Sequence, residues 1–330
     1  MAKKNPHRPF TPHPELQAVT PDVSGNDING LNEIAPRRAR MVYWAPDPGD
    51  IPHGDMQRWF YSRDPDDPHI AKARAERITR LAADMPDVTG EPVLRTPTEW
   101  LTALTAFAEA GPMEMVGVTE MRDTYLMEGA APPESRVVMI GVTHDYEEIS
   151  QAPTTRAGAE VLKQYGRAGA AAKLVAGWLR EQGWAARPVT GPMTGELLMI
   201  PPAIDCGFGE LGKHGSIISA EYGASFRLAA VLTDAPIAVT PKREHGIDDF
   251  CLNCRICEDA CPPEALSADK KTVRGMQKWY VDFDKCLPFF NEHQGCSICI
   301  AVCPWSRPGV GLNLAAKLAR RAERVNGDRP

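Results

Sequence analysis

Apolar residues along this chain change rhythm several times, and each rhythm predicts an element. Residues 137–144, VVMIGVTH, form an almost unbroken apolar run of buried-strand length, and MEMVGVTE at 113–120 also reads as a strand. Two further strands are predicted near 184–189 and within 229–239. Elsewhere the spacing turns helical. Ala71, Ala75, Ile78, Leu81 and Ala82 make a weak stripe over 68–84, and a second helix is predicted over 98–110, with Pro97 near its start and Gly111 as its stop. The longest helix is predicted over 154–182 and ends at Gly183. Residues 1–40, rich in Pro, Asn, Asp and Arg, hold no sustained period and read as an arm or wrapped extension. Strands alternating with helices predict a layered α/β or α+β domain.

Two segments are unusually rich in small residues. Inside the long helix, residues 165–177 read YGRAGAAAKLVAG. An interior glycine costs a helix up to about 1 kcal/mol relative to alanine, so Gly166 and Gly169 need a reason. Either something large and flat approaches the backbone there, or another helix packs closely. The second segment, CGFGELGKHG at 206–215, contains a GxGxxG. A dinucleotide fingerprint needs a strand before it and a helix opening within it. Here Pro201 and Pro202 interrupt the approach, and Gly215 follows soon after Gly212. A backbone loop pressed against another phosphate- or amide-bearing cofactor fits better, with Gly207, Gly209, Gly212, His214, Gly215 and Ser216 as the binding candidates. A plain cluster of structural turns is the alternative. Asp67-x-His69 opens like the DxHxxG that supplies a histidine to cobalt in some cobalamin proteins, but Lys72 stands where the glycine belongs; the match is read as chance.

The strongest chemical signal lies in the cysteines. There are nine, and eight fall between Cys251 and Cys303. The first motif is Cys251-x2-Cys254-x2-Cys257-x3-Cys261-Pro262, and the second is Cys286-x9-Cys296-x2-Cys299-x3-Cys303-Pro304. A CxxCxxCxxxCP run is the bacterial ferredoxin ligand pattern, in which the fourth cysteine serves the other cluster. Two-residue spacings let three thiolates converge from one loop on three irons of a cube, while the fourth iron needs a thiolate from elsewhere. The pattern therefore assigns Cys251, Cys254, Cys257 and Cys303 to one [4Fe–4S] cluster, and Cys286, Cys296, Cys299 and Cys261 to a second. The nine-residue spacing after Cys286 departs from the run and is expected to loop out. Zinc is the alternative reading of paired CxxC motifs; the two x3-Cys-Pro endings argue against it. The ninth, Cys206, reads as a small buried residue.

Composition narrows the rest. A chain of 330 residues suits one large domain and a smaller one, and 43 % apolar residues suffice for a core. A net charge of −6 lacks the basic surplus that phosphate neutralisation demands, so no nucleic-acid partner is expected. No apolar run reaches the roughly 18 residues of a membrane span, and the first residues, MAKKNPHRPF, have no apolar segment behind their charges. A cytoplasmic protein without a membrane partner is the expectation.

Taken in order, VVMIGVTHDYEE, QYGRAG, GFGELGKHGSIISAEYG, VLTDAPIA, FCLNCRICEDACPPEAL, KWYVDFDKC and GCSICIAVCPWS resemble the cobalamin- and iron–sulfur-dependent reductive dehalogenases, from about Met113 to Trp305. The resemblance implies a nitroreductase-like α/β (α+β) core holding a base-off cobalamin, with no histidine on cobalt, followed by a dicluster ferredoxin domain. It also implies a tyrosine proton donor on the long helix, at a position like Tyr165, assisted by a basic or amide side chain. Arg227 and Lys213 are the candidates for that helper; Ser225 holds the place where the family often has another arginine. The implied domains are an N-terminal extension and helical region over 1–112, the cobalamin-binding core over 113–245, the 2x[4Fe–4S] domain over 246–310 and a tail over 311–330.

The implied activity is replacement of halogen by hydrogen in an organohalide, at Co(I) cobalamin fed by the two clusters. An external ferredoxin or flavodoxin would be the electron donor. Two other functions compete. Epoxyqueuosine reductase is a related cobalamin enzyme acting on tRNA, which shares both clusters and the CPW ending; the compact gap between the cysteine motifs, the short tail LNLAAKLARRAERVNGDRP and the acidic total weigh against it. A ferredoxin-type electron-transfer subunit without catalysis would use the same cysteines and leave the small-residue segments as mere packing.

Overall fold

The computed structural model describes residues 5–327. Its centre is a four-stranded antiparallel sheet in the order β1-β2-β6-β3, with β1 Met115–Glu120, β2 Arg136–Thr143, β3 Ala186–Thr190 and β6 Phe226–Thr233. Every pairing is antiparallel, so of the two layered options the fold is α+β. The near-continuous apolar run of β2 is explained by burial on both faces. Val138, Ile140 and Val142 face the long helix Thr155–Glu181 and the Pro97–Glu109 helix, through Ala168, Ala171, Ala172, Val175, Leu179, Trp100 and Leu104. Val137 and Met139 face a second layer built from Tyr125, Leu197, Ala203 and Phe208. The Pro97–Glu109 helix begins with a reciprocal cap: Glu99 N–H donates to Thr96 Oγ1, and the Glu99 carboxylate accepts from Thr96 N–H.

Gly166 and Gly169 are answered by helix packing. A Cβ on Gly166 would stand 3.0 Å from the Cα of Arg77, and one on Gly169 would stand 2.5 Å from Leu81 Cδ2. Both partners belong to the Pro68–Leu81 helix. Asp67 is the N-cap of that helix, accepting from His69 N–H at 2.9 Å and Ile70 N–H at 3.1 Å. Asp67 and His69 thus serve a helix start, which disposes of the apparent cobalt motif.

The GxGxxG segment forms no helix. It makes the short hairpin of β4 Glu210–Leu211 and β5 Ile217–Ile218, with Gly209 pressed against the Ile218 carbonyl and Gly207 at φ +90° against the Pro241 carbonyl. After the sheet, residues 246–306 form the cysteine-bearing region, with short helices Ile247–Asn253, Ile256–Ala260, Phe283–Glu292 and Ile298–Ala301 and the hairpin β7 Lys271–Val273 and β8 Met276–Lys278.

The N-terminal arm wraps this region. Asn5 donates to Ala260 O at 2.9 Å, Arg8 to Cys261 O at 3.1 Å, and Gly25 N–H to Asp284 Oδ1 at 2.7 Å, while Tyr43 Oη donates to Asn291 at 2.5 Å. Short helices Pro14–Ala18 and Gly25–Asn29 punctuate the arm, too brief to show a period in the sequence.

Candidate active site

The site begins with strand register. Arg227 lies opposite Val142 in the β2–β6 ladder, and directly opposed residues share a face. That places Arg227 on the helix-facing side of the sheet, near its end. The long helix crosses there and presents Gly158, Val161, Leu162 and Tyr165, spaced at intervals of three, one and three residues that keep them on one side. The Arg227 guanidinium carbon stands 5.0 Å from the Tyr165 ring centroid, a cation over an aromatic face. Gly191 seats the ring from the other side: a Cβ there would lie 2.6 Å from Tyr165 Cε1.

Tyr165 and Arg227 form one wall of a cavity of about 350 Å3. The lining also includes the second cysteine group, Cys261, Cys286, Cys296 and Cys299, with Pro262, Pro263 and Phe289. A third side comes from the N-terminal half, through Trp44, Phe60, Tyr61 and Arg77, and Phe60 stacks on Phe290 at 5.8 Å. His214, Gly215 and Ser216 complete the lining from the β4–β5 hairpin.

Among the sequence-predicted residues, the structure therefore brings together Tyr165, Arg227, His214, Gly215 and Ser216. Gly166, Gly169, Gly207, Gly209 and Gly212 lie outside the lining and shape the packing behind it. Lys213 also turns away. Its Nζ donates to Cys254 O at 2.9 Å, beside the first cysteine group. Sequence reasoning did not single out Trp44, Phe60, Tyr61, Arg77 or the seat at Gly191. The aromatic run at 59–61 was the one available signal.

Three buried nitrogens of residues that line the cavity have no hydrogen-bond partner: Arg77 Nε, Arg227 Nε and His214 Nε2. Burial holds His214 near 4, hence neutral. Its Nδ1 accepts from Ser216 N–H at 3.2 Å, so the ring proton sits on Nε2. All three orphans are then donors, in a lining otherwise rich in apolar side chains. Buried donors without acceptors are costly; a large, flat group fringed with amide carbonyls, as a corrin is, would satisfy them.

The eight thiols fall into two groups. The thiols that act electrostatically on Cys257 are Cys303, Cys251 and Cys254, whereas those that act on Cys299 are Cys296, Cys286, Cys257 and Cys261. Burial pushes the thiols up, Cys251 to about 11 and Cys257, Cys296 and Cys303 to about 12. Such thiols become thiolates only when a metal centre offsets the burial. Among the described residues no three His, Cys, Asp or Glu side chains converge on a single-ion position. Cys206 stands apart, buried at the second layer of the sheet, where desolvation raises its thiol.

Residues 250–306 match the family described as 4Fe-4S dicluster domain. A tetrachloroethene reductive dehalogenase of Desulfitobacterium hafniense is 32 % identical over 210 residues, covering 60 % of this chain and 37 % of the relative. One from Sulfurospirillum multivorans is 26 % identical over 186 residues, covering 54 % of this chain and 36 % of the relative. Over more than half of its length the chain is similar to these reductive dehalogenases. It spans well under half the length of these relatives. A catabolic reductive dehalogenase solved in complex with 3-bromo-4-hydroxybenzoic acid shares the fold, with a TM-score of 0.72 over 95 % of this chain and 48 % of that one, at 20 % identity. The epoxyqueuosine reductase of Cellulophaga algicola is more distant, 24 % identical over 200 residues, covering 56 % of this chain and 55 % of the relative. The mixed fold with an iron–sulfur domain agrees with the sequence expectation. Among the described residues no helix is long and apolar enough to cross a membrane.

Proposed function

We propose that the protein is a cytoplasmic reductive dehalogenase that replaces a halogen of a small organohalide by hydrogen. One observation carries the reading: a cysteine quartet and the Tyr165–Arg227 pair line the same cavity. An electron source and a proton donor thus address the same space. In the net reaction one carbon–halogen bond breaks, one carbon–hydrogen bond forms, and two electrons and one proton are taken up as halide leaves.

Each quartet would hold one [4Fe–4S] cluster: Cys261, Cys286, Cys296 and Cys299 the inner, Cys251, Cys254, Cys257 and Cys303 the outer. A base-off cobalamin in the cavity would supply the cobalt chemistry that opens the carbon–halogen bond. The chain does the rest. Trp44, Phe60 and Phe290 exclude water, and the three orphaned donors hold acceptor groups. Tyr165 Oη delivers the proton. A phenol titrates near 10 unperturbed, and the Arg227 cation beside the ring stabilises the phenolate left behind. An external ferredoxin or flavodoxin would feed the outer cluster.

The test is anaerobic purification with cobalamin supplied, then iron and cobalt analysis and halide release from an organohalide panel. About eight iron and one cobalt per chain, with halide release that Tyr165→Phe abolishes while both metals stay bound, is the expected result. Iron without cobalt, or full turnover in Tyr165→Phe, overturns it.

One observation favours a second reading. The Val310–Gly327 helix exposes Lys317, Arg320, Arg321 and Arg324 against a single acid, Glu323, a basic face in an otherwise acidic chain. Such a face suits a tRNA backbone, as an epoxyqueuosine reductase would need. Salt-dependent tRNA binding with formation of queuosine, and no halide release, would establish that alternative.

A further inference from the structure

Lys213 is 1 % exposed, and what surrounds it is not the cavity. Its Nζ donates to Cys254 O at 2.9 Å, lies 3.6 Å from Glu258 Oε2 and stands 5.1 Å from the Trp279 ring centroid. Its backbone N–H points at the Cys251 thiol, and its charge acts on both Cys251 and Cys257. A buried ammonium with one carbonyl, one carboxylate beyond hydrogen-bond length and a ring face is poorly compensated by the protein alone. Glu258 Oε2 in turn has no hydrogen-bond partner, and its other oxygen is engaged by Arg255, which is largely in solvent. The counter-charge that Lys213 lacks is the outer thiolate quartet with its cluster, which is anionic in both oxidation states.

We infer that Lys213 and Glu258 set the reduction potential of the outer cluster: Lys213 raises it and Glu258 lowers it. The reasoning rests on the outer quartet holding a [4Fe–4S] cluster, as proposed above. Reduction adds one electron to the cluster and moves no proton, so the site becomes one unit more negative. A fixed cation stabilises the reduced form more than the oxidised one, and a fixed anion does the reverse. The low-dielectric surroundings leave both effects little screened. The inner quartet has a weaker counterpart. Arg8 donates to Cys261 O at 3.1 Å, but its side chain is 29 % exposed and also pairs with Glu264 at 2.9 Å. Lys213 is thus a positioning charge for electron transfer and not the partner of Tyr165.

The experiment is an EPR-monitored redox titration of the iron-loaded protein and two variants. Lys213→Met should move the outer cluster's reduction equilibrium at least tenfold toward the oxidised form, a fall of 59 mV for a one-electron couple. Glu258→Gln keeps the acceptor for Arg255 and should move it the other way, by threefold or more. The inner cluster should shift less in both. Opposite signs support the inference. Shifts of the same sign, or none beyond twofold with iron content unchanged, overturn it. Should Lys213→Met fail to load iron, Glu258→Gln decides alone by the sign of its shift. Failure of the unaltered protein to show two cluster signals would instead sink the cluster reading itself.

Discussion

The two chemical groups that line the cavity are built from opposite kinds of structure. Tyr165 and Arg227 stand on the longest helix and on the strand flanked by β2 and β3, in regular backbone with a packed core behind them. The cysteine wall stands on helices of 4 to 10 residues. It includes a run at 294–297 in which Gln294, Gly295, Cys296 and Ser297 all have positive φ. Left-handed backbone costs a non-glycine residue about 1–2 kcal/mol, so three such side chains within four residues need an outside compensation. On the function proposed above, the proton side would hold itself, whereas the electron side would be held by what its thiols bind. It also explains the nine-residue gap after Cys286: most of a helix, then a left-handed reversal that swings Cys296 and Cys299 back toward Cys286.

Removing iron is the strongest way to break this comparison. If metal binding supplies the folding energy of the cysteine wall, chelation under reducing conditions should abolish amide-exchange protection across 283–303 while β2 and β6 remain protected. Equal loss on both sides would show that the sheet depends on the metal too. On the proton wall the largest effect belongs to Tyr165→Phe, expected to cut kcat by about 10²–10⁴-fold, the usual range for a positioned proton donor. Gly191→Ala sharpens the same point more gently. Its new methyl would reach Tyr165 Cε1 and must displace the ring, so kcat should fall by about tenfold with iron, cobalt and stability little changed.

Much of this architecture was legible because it follows from local periodicity. The run of β2 and the long helix from Thr155 need only apolar spacing and a terminal glycine, and they appear within a residue or two of where the sequence puts them. The cysteine spacing carried the iron–sulfur domain. What stayed hidden depends on contacts between distant segments. No local pattern tells that Gly166 meets Arg77. Nor does one tell that Trp44 and Tyr61 close a cavity against Cys286 and Cys296, or that Gly191 seats a ring on another element. Lys213 shows the limit sharply. Both it and the adjacent His214 line the pocket of the outer cysteine group, yet only His214 also lines the large cavity, while Lys213 Nζ donates to Cys254 O.

The smallest expected effect tests the self-sufficiency of the sheet side. His144 lies at the end of β2 behind Arg227, 7 % exposed, with Nδ1 3.3 Å from Ser225 Oγ and Nε2 without a partner. Burial first, and then the Arg227 charge, hold it well below the usual histidine range, so it folds neutral. The unfolded chain takes up a proton at this residue below about pH 6.5 and the folded chain does not. The stabilisation is therefore complete above pH 6.5 and is lost as pH falls toward the depressed folded value. The slope is at most about 1.4 kcal/mol per pH unit for one group. Denaturant titrations of the iron-loaded protein between pH 7 and 5 should show that slope reduced in His144→Phe, whatever the variant's absolute stability. An unchanged slope would mean that acid loosens the molecule elsewhere, through His214 or the cysteine wall, and that the proton side is not the independent framework its packing implies.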